Sequence, residues 1–165
     1  MPSKATTLIA DDLMTEWRHL VNSPEIRLSI YKYIRSLKVY RGVTALCAAT
    51  QSEYLKRAGY IRVHYAWTAD LASILLSIGW RKIALATDLR PMDMCYSQDR
   101  KPKNGSPDHV YLFLCWLDKA KRVALILDNY SPHPHPRNLG KSVWYKGKLY
   151  GKTPFDYALR AKGGS

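Results

Sequence analysis

Ser106-Pro-Asp-His109-Val-Tyr-Leu-Phe-Leu-Cys-Trp116-Leu-Asp118-Lys-Ala-Lys121-Arg-Val123-Ala-Leu-Ile-Leu-Asp128-Asn-Tyr130 is the stretch that decides the fold. Two apolar runs, rich in β-formers, flank the polar tetrad Asp118-Lys-Ala-Lys121, which is the pattern of an antiparallel hairpin. With Lys119-Ala120 central in the turn, Asp118 faces Lys121 and, counting inward, His109 faces Tyr130. Asp128 is then a diagonal neighbour of His109 on the same face, roughly 7 Å away, and Asn129 points to the other face. A slip of one residue would exchange the two.

Upstream, Arg81 to Ala86 and Asp93 to Ser97 are further short β-type runs, separated from the hairpin by the polar stretch Gln98 to Asp108. Before them the apolar period changes to three or four. Leu13, Trp17 and Leu20, then Ile26, Ile30, Ile34 and Leu37, mark two amphipathic helices, with Ser23-Pro24 as the start of the second. Thr44 to Ala58 reads as a helix stopped by Gly59, and Thr68 to Gly79 as another with Thr68 as its N-cap. The expected fold is α+β, with N-terminal helices packed on an antiparallel sheet. Downstream, Ser131 to Ser165 carries Pro132, Pro134 and Pro136, and its Phe155 to Arg160 segment is expected to add an edge strand.

A chain of 165 residues with 47% apolar content, five Trp and twelve Tyr supports one hydrophobic core. A single catalytic domain over 1–165 is expected, made of a helical part (1–38), a catalytic core (40–130) and a C-terminal loop and edge segment (131–165). Lys and Arg number 26 against 13 acidic residues, a net charge of +13 that attracts anionic polymers such as nucleic acid or teichoic acid. Three widely spaced cysteines without CxxC spacing read as reduced thiols. Met1 to Asp12 lacks a basic segment followed by an apolar run of signal-peptide length, and no stretch approaches a membrane span. The expectation is a monomer made in the cytoplasm, without membrane insertion.

Cys47, placed in the first turn of its helix, would feel the positive end of the macrodipole, which favours the thiolate. The free N–H groups there, that of Cys47 included, could serve as an oxyanion hole. His109 opens a buried strand directly after a polar loop, a position for a base that meets both solvent and substrate. Asp128 or Asn129 at the end of the partner strand could fix the imidazole tautomer, the third role of a triad. Cys95 and Cys115 lie in apolar runs and read as core. His133-Pro-His135-Pro reads as a rigid loop at a cleft rim rather than a metal site. His135, with the aromatics Tyr40, Trp67 and Trp144, is assigned to substrate binding.

The order of helix-borne Cys47, strand-initial His109 and strand-terminal Asp128, with Asn129 as a fourth position, resembles the NlpC and CHAP group of papain-like cysteine amidohydrolases and peptidases. Asp88-Leu-Arg-Pro-Met92-Asp93 looks like that group's Leu-x-Pro-Gly-Asp strand entry, with Met92 at the glycine position. Ser106 to Phe113 looks like its His-bearing strand. The resemblance implies cleavage of an amide bond, commonly in the stem peptides of peptidoglycan, through an acyl-enzyme released by water. It implies no metal and no organic cofactor, and a phage or non-classical route to the cell wall. Two other classes compete: a non-catalytic basic module binding nucleic acid or an anionic cell-wall polymer through Lys101, Lys103, Lys121, Arg122, Lys141 and Lys146, and an inactive papain-like scaffold in a structural role.

Overall fold

The computed structural model describes residues 4–37, 43–98, 105–151 and 155–162. Four helices come first: α1 (Lys4–Asn22), α2 (Pro24–Ser36), α3 (Val43–Arg57) and α4 (Thr68–Ser77). They are followed by β1 (Arg81–Ile83), a 3₁₀ turn (Ala86–Asp88), β2 (Met94–Ser97), β3 (His109–Asp118), β4 (Val123–Leu127), β5 (His135–Asn138), β6 (Val143–Tyr145), β7 (Lys148–Tyr150) and β8 (Tyr157–Arg160).

Local chemistry sets the helix limits. Ser23 Oγ accepts the Ile26 N–H at 3.3 Å, and Pro24 fills the first helical position of α2, where no N–H is needed. Gly59 ends α3 at φ +86°, a left-handed conformation in which any Cβ would lie 3.0 Å from Leu13 Cδ2. The N-cap of α4 is Trp67 rather than Thr68. Thr68 lies inside the helix, and its hydroxyl donates instead to the Pro107 carbonyl, joining the start of α4 to the loop that enters β3.

Six strands form one antiparallel sheet in the order β1-β8-β2-β3-β4-β5, and β6 and β7 make a separate two-stranded hairpin. The fold is therefore α+β, with the helices packed on an antiparallel sheet. The C-terminal segment expected at an edge is instead interior: β8 lies between β1 and β2. Its Ala158, Leu159 and Arg160 are all buried, as an interior strand requires. The expected proline loop at His135 is the edge strand β5, where Pro136 lies opposite Leu125. An edge strand tolerates a residue that cannot donate to the ladder.

Alternation along β3 divides the core into two layers. Val110 and Leu112 join Cys47, Leu55, Leu71, Met94, Leu127 and Leu159 beneath the helices. Tyr111 and Phe113 belong to a second cluster with Cys95, Ile126, Ala158 and Leu139. Cys95 is buried as expected, but Cys115 is exposed. The register of β3 against β4 shifts between Phe113 and Cys115, a bulge that breaks the alternation on which a core assignment of Cys115 depends.

The Asp88 to Asp93 segment forms a turn closed by the Asp93 N–H to the Arg90 carbonyl at 3.1 Å. Met92 sits there at φ +75°, the conformation that favours glycine, with its side chain buried in the helix-side core. The turn thus keeps a glycine-type backbone with a methionine in it.

Candidate active site

Counting from the hairpin places His109 beside Asp128, and the structure brings the two together. Leu112 pairs with Leu127 and Phe113 with Ile126, the register that an Asp118–Lys121 turn would require. The turn itself is longer: Asp118 pairs with Val123, and two irregularities, between Phe113 and Cys115 and between Trp116 and Asp118, absorb the difference. The two departures cancel before the strands reach the site end.

At that end, Asp128 Oδ2 lies 3.4 Å from His109 Nε2, with both side chains almost fully buried. The contact meets the distance for an ion pair, but it is too long and poorly aligned to count as a made hydrogen bond. Asp128 Oδ1 accepts the Tyr130 N–H at 2.8 Å and faces His135 Nε2 at 3.0 Å. One carboxylate therefore meets two imidazoles, one at each oxygen. Burial alone would raise the Asp128 pKa. The approach of His109 and His135, with the Tyr130 N–H, outweighs it and holds the carboxyl well below the usual range. The same carboxylate, against the opposing effect of burial, raises His135 above an ordinary histidine. Asn129 does not take the orienting position. It is buried, its carbonyl accepts a 2.7 Å hydrogen bond from Arg35 Nη2, and its side-chain oxygen has no hydrogen bond among the described residues.

Cys47 is fully buried on α3, four residues beyond Val43 and hence at the start of the second turn. Its sulfur lies 3.9 Å from the Asp108 carbonyl oxygen, and the Val110 N–H also faces it. The thiol thus touches the β3 backbone on both sides of His109. The imidazole itself stacks on Tyr111, 5.8 Å between centroids, and approaches Tyr130 at the same distance. Along β3, the Tyr111 side belongs to the second core layer, whereas the thiol belongs to the helix-side layer.

The expected activation of Cys47 by its helix is not what the resting site has. Burial pushes the thiol up to about 11, opposed by the N–H groups of Val110, Ala48 and Cys47 and reinforced by the nearby negative charge of Asp128. Removal from water outweighs the helix terminus here because the sulfur is one turn inside the helix and has no access to solvent.

The remaining expected site residues divide. Trp67 is 63% exposed and precedes Thr68, whose hydroxyl holds the loop before His109, so it stands at the site end. His135 joins the site, but through Asp128 rather than as an isolated rim residue. Trp144 is exposed, but its carbonyl accepts from Lys121 Nζ at 3.3 Å, which places it by the β3–β4 turn, at the other end of the strands. Tyr40 lies outside the described residues.

Three supports were not legible in the sequence. Arg27 Nε donates to the Pro132 carbonyl at 3.0 Å, so that it and Arg35 fasten the segment after Asp128 to α2. Gln51, one turn beyond Cys47, donates through Nε2 to the Leu127 carbonyl at 3.0 Å, linking α3 to the end of β4. Arginine and glutamine on a helix ordinarily read as solvated surface, and only their long-range carbonyl partners reveal the role.

Among the described residues, no helix is long and apolar enough to cross a membrane, and no group of three or more His, Cys, Asp or Glu has the arrangement of a metal site. Comparison with family models, with curated proteins and with solved structures finds no match to this chain.

Proposed function

We propose that this protein is a cysteine amidohydrolase or endopeptidase of papain-like, NlpC/CHAP-type architecture, acting on an amide bond in peptidoglycan stem peptides. The observation that carries the reading is the convergence on β3. The Cys47 sulfur rests against the carbonyl before His109 and the N–H after it, while His109 Nε2 faces Asp128.

That arrangement assigns roles. With Nε2 toward Asp128, Nδ1 of His109 is the nitrogen left to take the thiol's proton. Because the ring stacks on Tyr111 while Cys47 lies in the helix-side layer, the proposed attack requires the imidazole to turn toward the sulfur as substrate binds. Because the resting thiol is protonated, proton transfer accompanies attack rather than preceding it. Sulfur bonds to the amide carbon as its proton moves to His109. Collapse of the tetrahedral intermediate breaks the C–N bond, and His109 returns the proton to the leaving amine. Water, deprotonated by His109, then cleaves the thioester to a carboxylic acid and restores the thiol. Trp67 and His135 stand at the site end to meet substrate or shape the carboxylate, and the chemistry needs no cofactor. The enzyme would act as a monomer at the cell wall, delivered by phage or non-classical release.

The test is digestion of purified peptidoglycan by wild type, Cys47→Ala and His109→Ala, with new amino termini identified by mass spectrometry. New termini lost in both variants support the assignment, and cleavage that survives Cys47→Ala defeats it. The net charge of +13 favours one second reading, a non-catalytic basic module for nucleic acid or an anionic cell-wall polymer. Its binding would fall steeply with salt and survive Cys47→Ala.

A further inference from the structure

Toward the β3–β4 turn and away from His109, the sheet carries a cavity of about 560 Å³. Four basic residues line it: Arg81 of β1, Arg90 before β2, Lys119 of the β3–β4 turn and Arg160 of β8. Among the described residues, Asp88 is the one acidic residue in the lining. Arg81, Arg90 and Lys119 are exposed, and none makes an ion pair among the described residues.

Arg160 differs from the other three. It is buried, and its guanidinium is fixed from behind: Nε and Nη2 each donate to Asp93 at 2.7 Å, and Nη2 also donates to the Asp88 carbonyl at 2.7 Å. Nη1 is the guanidinium nitrogen those bonds leave unused. Asp93 neutralises Arg160 and Asp88 offsets one of the three exposed cations, so the concave site keeps a net positive field with the fixed Arg160 guanidinium at its wall. Like charges gathered this way repel, and an anion that bridges them removes the repulsion. Planar guanidinium groups suit an anion with several oxygens, and phosphate matches their fork geometry. The volume is that of a small-ligand pocket, and Leu89 and Ile83 add apolar wall beside the charges.

We infer that this cavity is a phosphate-binding site, separate from the Cys47 region, in which Arg81, Arg90, Lys119 and Arg160 take a phosphorylated ligand. The phosphate could belong to a free small molecule or to a phosphodiester backbone, and the two sources differ in what displaces them.

Titration calorimetry at physiological salt, with inorganic pyrophosphate as the probe, tests this on the full chain. Saturable one-to-one binding is expected, weakened about tenfold in Arg81→Ala and in Lys119→Ala. Both residues are exposed, so both variants should fold, and Lys56→Ala on the exposed end of α3 should bind like wild type. Displacement of pyrophosphate by a short oligothymidylate identifies a phosphodiester polymer as the source. Binding without such displacement identifies a free phosphorylated molecule. Absence of saturable binding, or equal weakening in Lys56→Ala, overturns the site.

Discussion

Arg160 on β8 grips Asp93 at the entry to β2 through two parallel N–H···O bonds of 2.7 Å, with both side chains almost wholly out of water. A buried pair of this kind is costly to break from one side, because the remaining charge has neither water nor partner. Asp93→Ala should therefore cost about 3–5 kcal/mol of folding stability. Urea unfolding checks it, and a loss below about 1 kcal/mol, the range of an exposed pair, would show that solvent reaches Arg160. Asp93→Ala with Arg160→Leu should recover much of the loss.

The turn before that pair gives a second expectation. Met92 holds φ +75°, where a side chain costs about 1–2 kcal/mol relative to glycine. Its side chain is also buried, and deleting a buried methionine costs about 2–5 kcal/mol. The second quantity is larger, so Met92→Gly should lower stability by about 1–3 kcal/mol despite relieving the backbone. A thermal melt reading higher than wild type would mean that strain outweighs packing.

The same residues show what sequence can and cannot reveal. The four helices, β2, β3 and β4 were legible because their apolar periods and caps are local signals. Ser23-Pro24, Gly59 and the runs after His109 each report on their own neighbourhood. The pairing of His109 with Asp128 was legible because facing strands count inward from a turn, although the longer turn and the two bulges are invisible to counting and happen to cancel. β8 was misplaced at an edge because insertion between β1 and β2 is a long-range choice, made by Arg160 finding Asp93 and Asp88. The thiol's state was misread because position on a helix is local, whereas burial by Val110, Leu112 and the sheet is not.

Asp128 between two imidazoles predicts a window in pH. Its own pKa is depressed on folding, so the stability it contributes is complete above the ordinary carboxylate value of about 3.9 and is lost as pH falls through the lower folded value. His135 is shifted upward, so its contribution is complete below about 6.5 and is lost as pH rises through the raised folded value. Both contributions are whole only between about pH 4 and 6.5. Since His135 retains a third of its side-chain exposure, solvent screening reduces its share. In His135→Ala, the fall in denaturation midpoint between pH 6 and 8 should shrink. An unchanged slope would show that the 3.0 Å contact carries no proton linkage.

Exposure should set Cys115 apart from the two buried thiols. Cys115 is exposed and should react first with iodoacetamide at neutral pH. Cys47, raised to about 11, should react on the order of 10²-fold more slowly, and Cys95, sealed in the second core layer with its thiol also raised by burial, should likewise lag far behind Cys115. Mass spectrometry of the modified peptides reads the order directly. Because burial, rather than an imidazolium, sets the resting Cys47 value, His109→Ala should leave its alkylation rate nearly unchanged while lowering turnover by about 10²–10⁴-fold. That split distinguishes a base that acts during attack from a preformed thiolate–imidazolium pair. In the preformed case, His109→Ala would slow alkylation and turnover together.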